Sequence, residues 1–149
     1  MSVDQEIKDI GHRATAAAHR LADLSTDAKN RILHAMADEL NQRRVALQEA
    51  NALDLEAGRT ACLTNAMLDR LELTDQRIDA MCDGLRDVAA LPDPVGSEIK
   101  AWERPNQLEI HKVRVPIGVI AIIYESRPNV TADAAALCFK TSNAVILRG

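Results

Sequence analysis

The fold is decided by "GVIAIIYESRPNVTADAAALCFKTSNAVILRG", Gly118 to Gly149. "GVIAII" is a continuous β-branched run and reads as a strand buried on both faces. "TADAAALCFK" reads as a short helix with Thr131 as its cap, "TSN" as a turn, and "AVILR" as a second buried strand. Strand, helix, strand predicts a βαβ unit with parallel strands. A parallel sheet of two strands leaves both edges open and both faces in need of cover. The pattern therefore points to the front part of a longer protein, in preference to helices covering an odd small sheet.

Upstream, the chain alternates between two other patterns. Ile7, Ile10, Ala14, Ala17, Leu21 and Leu24 repeat at three and four and form one amphipathic face. Ser25 or Thr26 is placed to cap a second helix through Ile32, Met36 and Leu40. A third segment runs from Val45 to about Ala57, with Gly58 as its natural C-cap. "LTNAMLDRL" holds a short helix. Thr74 caps a longer one whose face is Ile78, Met81, Cys82, Leu85 and Val88, and "PDPVG" stops it because neither proline continues a helix. "EIKAWE" and "LEIHKVRV" then alternate with period two around a "RPNQ" turn, predicting a two-stranded antiparallel arm with one wet face. The expected class is α/β: a helical lead-in over 1–96, arm strands over 97–116, and over 117–149 the first βαβ unit of a parallel Rossmann-like sheet.

Bulk composition narrows the function. The 149 residues are 47% hydrophobic and 27% charged, ordinary for a globular chain with its own core. Aromatic residues are only 2%, so the core must be built from Ala, Leu, Ile, Val and Met. A net charge of −4 argues against a nucleic-acid partner. The longest apolar run, around Val115 to Tyr124, is about half of what a membrane helix needs, so no membrane partner is expected. The polar start "MSVDQEIKDI" is no secretory segment, and three widely spaced cysteines fit reduced thiols in the cytoplasm. No metal is expected: Cys62, Cys82 and Cys138 have no ligand spacing. His12 and His19 lack further partners, and His34 and His111 are isolated.

The functional signal is the loop "YESRPNVT", Tyr124 to Thr131. In parallel α/β sheets the loops at the carboxyl ends of strands form the ligand crevice. This loop also opens a helix, whose free N–H groups favour anions. Arg127 adds a planar, permanently charged fork suited to phosphate or carboxylate. Ser126, Asn129 and Thr131 add neutral donors, and Pro128 stiffens the turn. The residues alone equally allow Arg127 to pair with Glu125 or Asp133, and the hydroxyls and amide to serve as caps.

"KVRVPIGVIAIIYESRPNVTADAAALCFKTSNAVILRG", Lys112 to Gly149, resembles the signature of the gamma-glutamyl phosphate reductases, in the aldehyde dehydrogenase superfamily. "MLDRLELTDQRIDAM", "VAALPDPVG" and "WERPN" resemble the same family in the same order, so the likeness covers nearly the whole chain. It implies an aldehyde dehydrogenase-like fold, of which 1–149 is the N-terminal portion of the cofactor domain, and a full-length homo-oligomer. It implies NADPH-dependent reduction of L-glutamate 5-phosphate to the 5-semialdehyde in proline biosynthesis, through a cysteine thiolate that lies beyond Gly149. No catalytic residue is therefore expected within the chain. The substrate and oxyanion residues implied are Glu125, Ser126, Arg127 and Asn129, with either Arg127 or Asn129 facing the reacting oxygen. Tyr124, Arg148 and Gly149 would flank the cofactor, with Arg148 meeting its 2′-phosphate. The sequence departs from the family at Ser142 and Gln107, where glycine is expected, which predicts strained or reshaped turns. Two other readings stand beside this one. One is a truncated, non-catalytic oligomerising or anion-binding module. The other is a different acyl-phosphate or acyl-CoA reductase of the superfamily, against which the arginine in the loop speaks.

Overall fold

The computed structural model describes residues 2–125 and 127–149. Among them six helices precede and flank two small sheets: α1 Val3–Ala22, α2 Thr26–Gln42, α3 Arg44–Thr60, α4 Asn65–Leu71, α5 Asp75–Ala90, β1 Glu98–Glu103, β2 Glu109–Val113, β3 Val119–Ile123, α6 Pro128–Lys140 and β4 Ala144–Arg148. The fold is α/β. β1 pairs antiparallel with β2, and β3 pairs parallel with β4 in the register Val119↔Ala144 to Ile123↔Arg148.

Local chemistry accounts for most helix starts. Ser2, Ser25, Thr64 and Thr74 each accept a hydrogen bond from the backbone N–H three residues on. Such a cap contributes about 1 kcal/mol. Ser25, not Thr26, caps α2; the Thr26 hydroxyl donates instead to Asp93.

The main core lies where α2, α5 and α6 meet. Leu33 and Ala37 of α2 face Ile78, Cys82, Leu85 and Ala89 of α5, and Ala136 of α6 closes the cluster. All are buried at spacings of three or four, and small residues on each helix let the backbones approach. A second cluster seats α1 on the parallel sheet through Ala14, Ala18 and Ala144, with Leu21, Val119 and Ile146 around them. The expected α1 stripe is thus shifted: Ala18 is buried, whereas Ala17 and Ile7 are exposed. Val3 and Ile7 are exposed, so among the described residues the apolar periodicity of the first turns of α1 has no partner surface.

A buried ionic network ties α2 to the links after α5 and α6. Lys29 is only 1% exposed. Its ammonium pairs with Asp93 and donates to the Ser142 hydroxyl at 3.0 Å. Asp93 also accepts from Thr26 Oγ1 at 2.9 Å and from the Val95 N–H at 3.0 Å. Nearby, the buried Lys140 donates to the Ala89 carbonyl at 2.8 Å and to Asn30. Among the described residues no buried side-chain nitrogen or oxygen lacks a partner.

The two departures from glycine fall where the backbone turns left-handed. Gln107 has φ 64° and Ser142 φ 57°. Gln107 closes the arm turn, its N–H donating to the Arg104 carbonyl. Ser142 sits just past α6, where Asn143 N–H bonds the Cys138 carbonyl and Ser142 N–H bonds that of Phe139, a Schellman ending. Cys62, at φ 56°, ends α3 in the same way.

Several expectations need correction. Gly58 is not a C-cap: α3 runs past it to Thr60, and a Cβ there would stand 3.0 Å from Leu68 and 3.1 Å from Leu63. Its glycine serves close packing of α3 on α4. Thr131 is not the cap of α6, which begins three residues earlier at Pro128, a proline whose missing N–H costs nothing in a first turn. β3 is not buried on both faces; Ile123 is 84% exposed, because only one neighbouring strand and a few helical residues cover it. The arm is wet on both faces, with Trp102 and Ile99 exposed, since it stands clear of the helices. His111 is not isolated: its Nδ1 lies 2.7 Å from Glu98 across the arm. That carboxylate raises its pKa above the usual imidazole value despite some desolvation, with a smaller contribution from Glu109.

Candidate functional site

The loop after β3 lies at the carboxyl end of the parallel strands and runs directly into α6. Tyr124 N–H donates to the Arg148 carbonyl at 3.0 Å, extending the ladder one residue. The Tyr124 hydroxyl bonds Thr131 in the first turns of α6, so both loop ends are tied down. Arg127 occupies the residue before α6 with no side-chain capping bond. Ser126 lies outside the described residues.

Two adjacent cavities open on this loop. One, of about 390 Å³, is lined by Arg70, Glu72, Arg77, Arg127, Asn129 and Asp133 among others. The other, of about 360 Å³, is lined by Met67, Arg70, Tyr124, Glu125, Arg127 and Val130. Arg70 and Arg127 border both. Neither arginine forms an ion pair among the described residues, so the alternative pairing of Arg127 with Glu125 or Asp133 is not what the structure holds. Asp133 instead accepts from the Asn129 amide at 3.1 Å.

Arg70 and Arg77 could not be picked out from the sequence. They sit on the last turn of α4 and the first turn of α5, on either side of a short link, in a stretch that reads only as helix and turn. That link is held by side chains reaching from elsewhere. Asn51 of α3 donates to the Leu71 carbonyl at 2.8 Å and accepts from Leu73 N–H at 2.7 Å. Arg44 binds Asp75 and Asp79. Arg77 is spent locally: its guanidinium bonds the Asp69 carbonyl and carboxylate and the Glu72 carbonyl. The residue left free to face a ligand from this side is Arg70, exposed and on the last turn of α4.

The other named residues lie close by. Glu125 is exposed on the cavity rim, and Tyr124 is half-buried. A Cβ on Gly149 would stand 3.0 Å from the Tyr124 ring, so the ring packs on that backbone. Arg148 is exposed at the carboxyl end of β4, bonded to the Gly149 carbonyl. Its guanidinium and the loop thus share one end of the sheet.

The exposed arginines suit an anion, and the described residues place no thiol beside it. None of the cysteines lines either cavity. Cys82 is buried in the main core with its thiol on the Ala37 carbonyl, Cys138 is buried with its pKa pushed up by desolvation, and Cys62 is exposed at the end of α3. No group of His, Cys, Asp and Glu among the described residues can hold a metal ion. No helix of the structure is long and apolar enough to cross a membrane.

Comparison with known proteins gives a consistent match. No family model matches the chain. It is 61% identical over 144 residues to the gamma-glutamyl phosphate reductase of Magnetococcus marinus, covering 96% of this chain and 34% of the relative. It is 55% identical over 149 residues to that of Geotalea daltonii, covering 100% of this chain and 36% of the relative. The crystal structure of the Thermotoga maritima gamma-glutamyl phosphate reductase superposes with a TM-score of 0.89 at 42% identity, over 93% of this chain and 33% of that one. The Saccharomyces cerevisiae enzyme gives 0.91 at 37% identity, over 100% and 37%. The chain therefore spans about a third of the length of the curated relatives it matches.

Proposed function

We propose, from a sequence and fold that belong with the gamma-glutamyl phosphate reductases over about a third of their length, that this chain is the substrate-gripping front part of such an enzyme. The complete enzyme would reduce L-glutamate 5-phosphate to L-glutamate 5-semialdehyde and release inorganic phosphate, in proline biosynthesis in the cytoplasm. The observation that carries this is Arg127. It is exposed before the first turn of α6, shares two cavities with Arg70, and forms no ion pair with a carboxylate among the described residues.

Within that reading each residue has a defined task. Arg127 binds the acyl phosphate by a two-pronged, charge-assisted contact and draws electron density towards the leaving oxygen. Asn129 gives one amide hydrogen to Asp133 and keeps the other for the carbonyl oxygen of the substrate. Glu125 and Ser126 complete the loop. Tyr124 and Gly149 form one wall beside the cofactor, and Arg148 holds its 2′-phosphate. NADPH supplies the hydride when bound. The thiolate that attacks the acyl carbon comes from outside this sequence, since the three cysteines here lie away from the loop. Residues 1–149 would form the N-terminal portion of the cofactor domain. The β1–β2 arm, exposed on both faces, would be covered in a homo-oligomer.

The test is Arg127→Ala in a complete reductase carrying this sequence. Loss of a charge-assisted contact of about 2 kcal/mol lowers kcat/KM for glutamyl phosphate roughly 30-fold. Unchanged kinetics would remove Arg127 from phosphate binding.

A further inference from the structure

The cavity of about 390 Å³ holds more than an anion site needs. Besides its arginines it is lined by Asp133, a half-buried carboxylate in the second turn of α6. The ion pairs among the described residues do not include Asp133. Its Oδ2 accepts the Asn129 amide at 3.1 Å. Its Oδ1 faces α5 at Gly84, where a Cβ would stand 3.5 Å away. A carboxylate placed partly out of water without a cation is costly, and the glycine opposite keeps space beside it. Arg77 lines the same cavity but is committed to Asp69 and Glu72, so it does not neutralise Asp133. Arg70 faces the cavity from α4 with no bonded partner among the described residues.

Among the described residues the cavity therefore presents two cations without an ion pair, Arg70 and Arg127, and two such carboxylates, the exposed Glu72 and the half-buried Asp133, of which Asp133 is the one held out of water. A simple acyl phosphate would use Arg127 alone. An acyl phosphate ending in an α-amino acid carries three charged groups: the phosphate, an α-carboxylate and an α-ammonium. We propose that Asp133 and Arg70 form a head-group subsite, in which Asp133 receives the α-ammonium and Arg70 the α-carboxylate, while Arg127 keeps the phosphate. This rests on the reading of Arg127 given above and adds the source of substrate specificity to it. Discrimination is strongest at Asp133, because a ligand lacking the ammonium leaves that half-buried carboxylate unpaired. Asp133 has a second task, since it orients Asn129, and the two tasks are separable by substrate.

The experiment compares three substrates in a complete reductase carrying this sequence: L-glutamyl phosphate, glutaryl phosphate, which lacks the ammonium, and butyryl phosphate, which lacks both head-group charges. In Asp133→Asn the preference for glutamyl over glutaryl phosphate falls at least 10-fold. In Arg70→Gln, an exposed change that the fold tolerates, the preference for glutaryl over butyryl phosphate falls at least 10-fold. Neither variant alters kcat/KM for butyryl phosphate by more than the effect on Asn129 alone, which Asn129→Ala measures. Arg127→Ala lowers all three substrates together. If the two ratios stay at wild-type values in Asp133→Asn and Arg70→Gln, or if all three substrates lose equally, the head-group subsite is wrong. If Arg127→Ala spares all three while the ratios still collapse, the phosphate reading fails and the subsite stands. Calorimetric binding of L-glutamate against glutarate gives the same comparison without turnover. A wild-type protein with no preference between them overturns the proposal.

Discussion

Replacing Lys29 by Met removes the cation from a buried pair while leaving its volume nearly filled. The Lys29 and Asp93 side chains are 2% and 8% exposed, so Asp93 cannot turn to water without opening the link after α5. Breaking a buried pair from one side costs about 3–5 kcal/mol, because an unpaired charge stays behind. Asp93 retains the Thr26 hydroxyl and the Val95 N–H, which places the cost near the lower end, about 3 kcal/mol. The Ser142 hydroxyl also loses its donor, at the left-handed position that ends α6. Equilibrium urea unfolding measures the loss by linear extrapolation. The double variant Lys29→Met with Asp93→Asn keeps both acceptor contacts without the charge, and recovers part of it. Acid adds a second signature. Burial pushes the Asp93 carboxyl up, but the Lys29 ammonium, the Val95 N–H and the Thr26 hydroxyl outweigh it and hold it below the usual carboxylate range. A carboxyl depressed in the folded state stabilises above its unfolded pKa, and that contribution disappears as pH falls through the folded value. The gap between wild type and Lys29→Met therefore narrows on acidification below about pH 4. A loss under about 1 kcal/mol, or a double variant no better than Lys29→Met alone, would refute the account of the network.

Further outcomes follow from other contacts. Gln107→Gly relieves a left-handed backbone at an exposed turn and stabilises the chain by about 1 kcal/mol in the same urea assay; a neutral or destabilising result would mean that Gln107 contributes a contact that offsets its strain. His111 titrates above the ordinary imidazole value by NMR, and Glu98→Gln returns it towards that value; because its folded pKa is raised, the contact steadies the arm at low pH and is lost as pH rises through the folded value. Arg148→Ala in a complete reductase weakens NADPH use more than NADH use, whereas equal loss with both removes Arg148 from 2′-phosphate recognition. Lys140 has its pKa lowered by desolvation and by Lys29, against the opposing pull of Asp93. Stability therefore rises with pH just below the ordinary lysine range, a slope that Lys140→Met abolishes.

The sequence by itself determined every element and its type. Helical periodicity, hydroxyl caps at Thr74 and at Ser25 or Thr26, the prolines of "PDPVG" and the β-branched runs of β3 and β4 are local signals. Local signals suffice because hydrogen bonding within a helix or at a cap involves residues a few positions apart. The family resemblance marked Gln107 and Ser142 as departures from glycine, and the structure shows a left-handed backbone at both. The sequence singled out the loop around Arg127 as charge between a strand and a helix, while leaving open whether that charge faces a ligand or a neighbour in the loop. Tertiary structure decided the rest. Whether "GVIAII" is buried depends on neighbours that periodicity cannot count. Gly58 packs a helix against its neighbour, and Thr131 binds Tyr124, because contacts set those roles, not propensity. Lys29 reads as a surface residue of an amphipathic helix until the link after α5 brings Asp93 to it. Arg70 and Asp133 acquire meaning only when the α4–α5 link, pinned by Asn51 and Arg44, is carried to the first turns of α6. Those juxtapositions arise from burying the faces of α2, α5 and α6 together, a collective outcome of packing that no short stretch of sequence encodes.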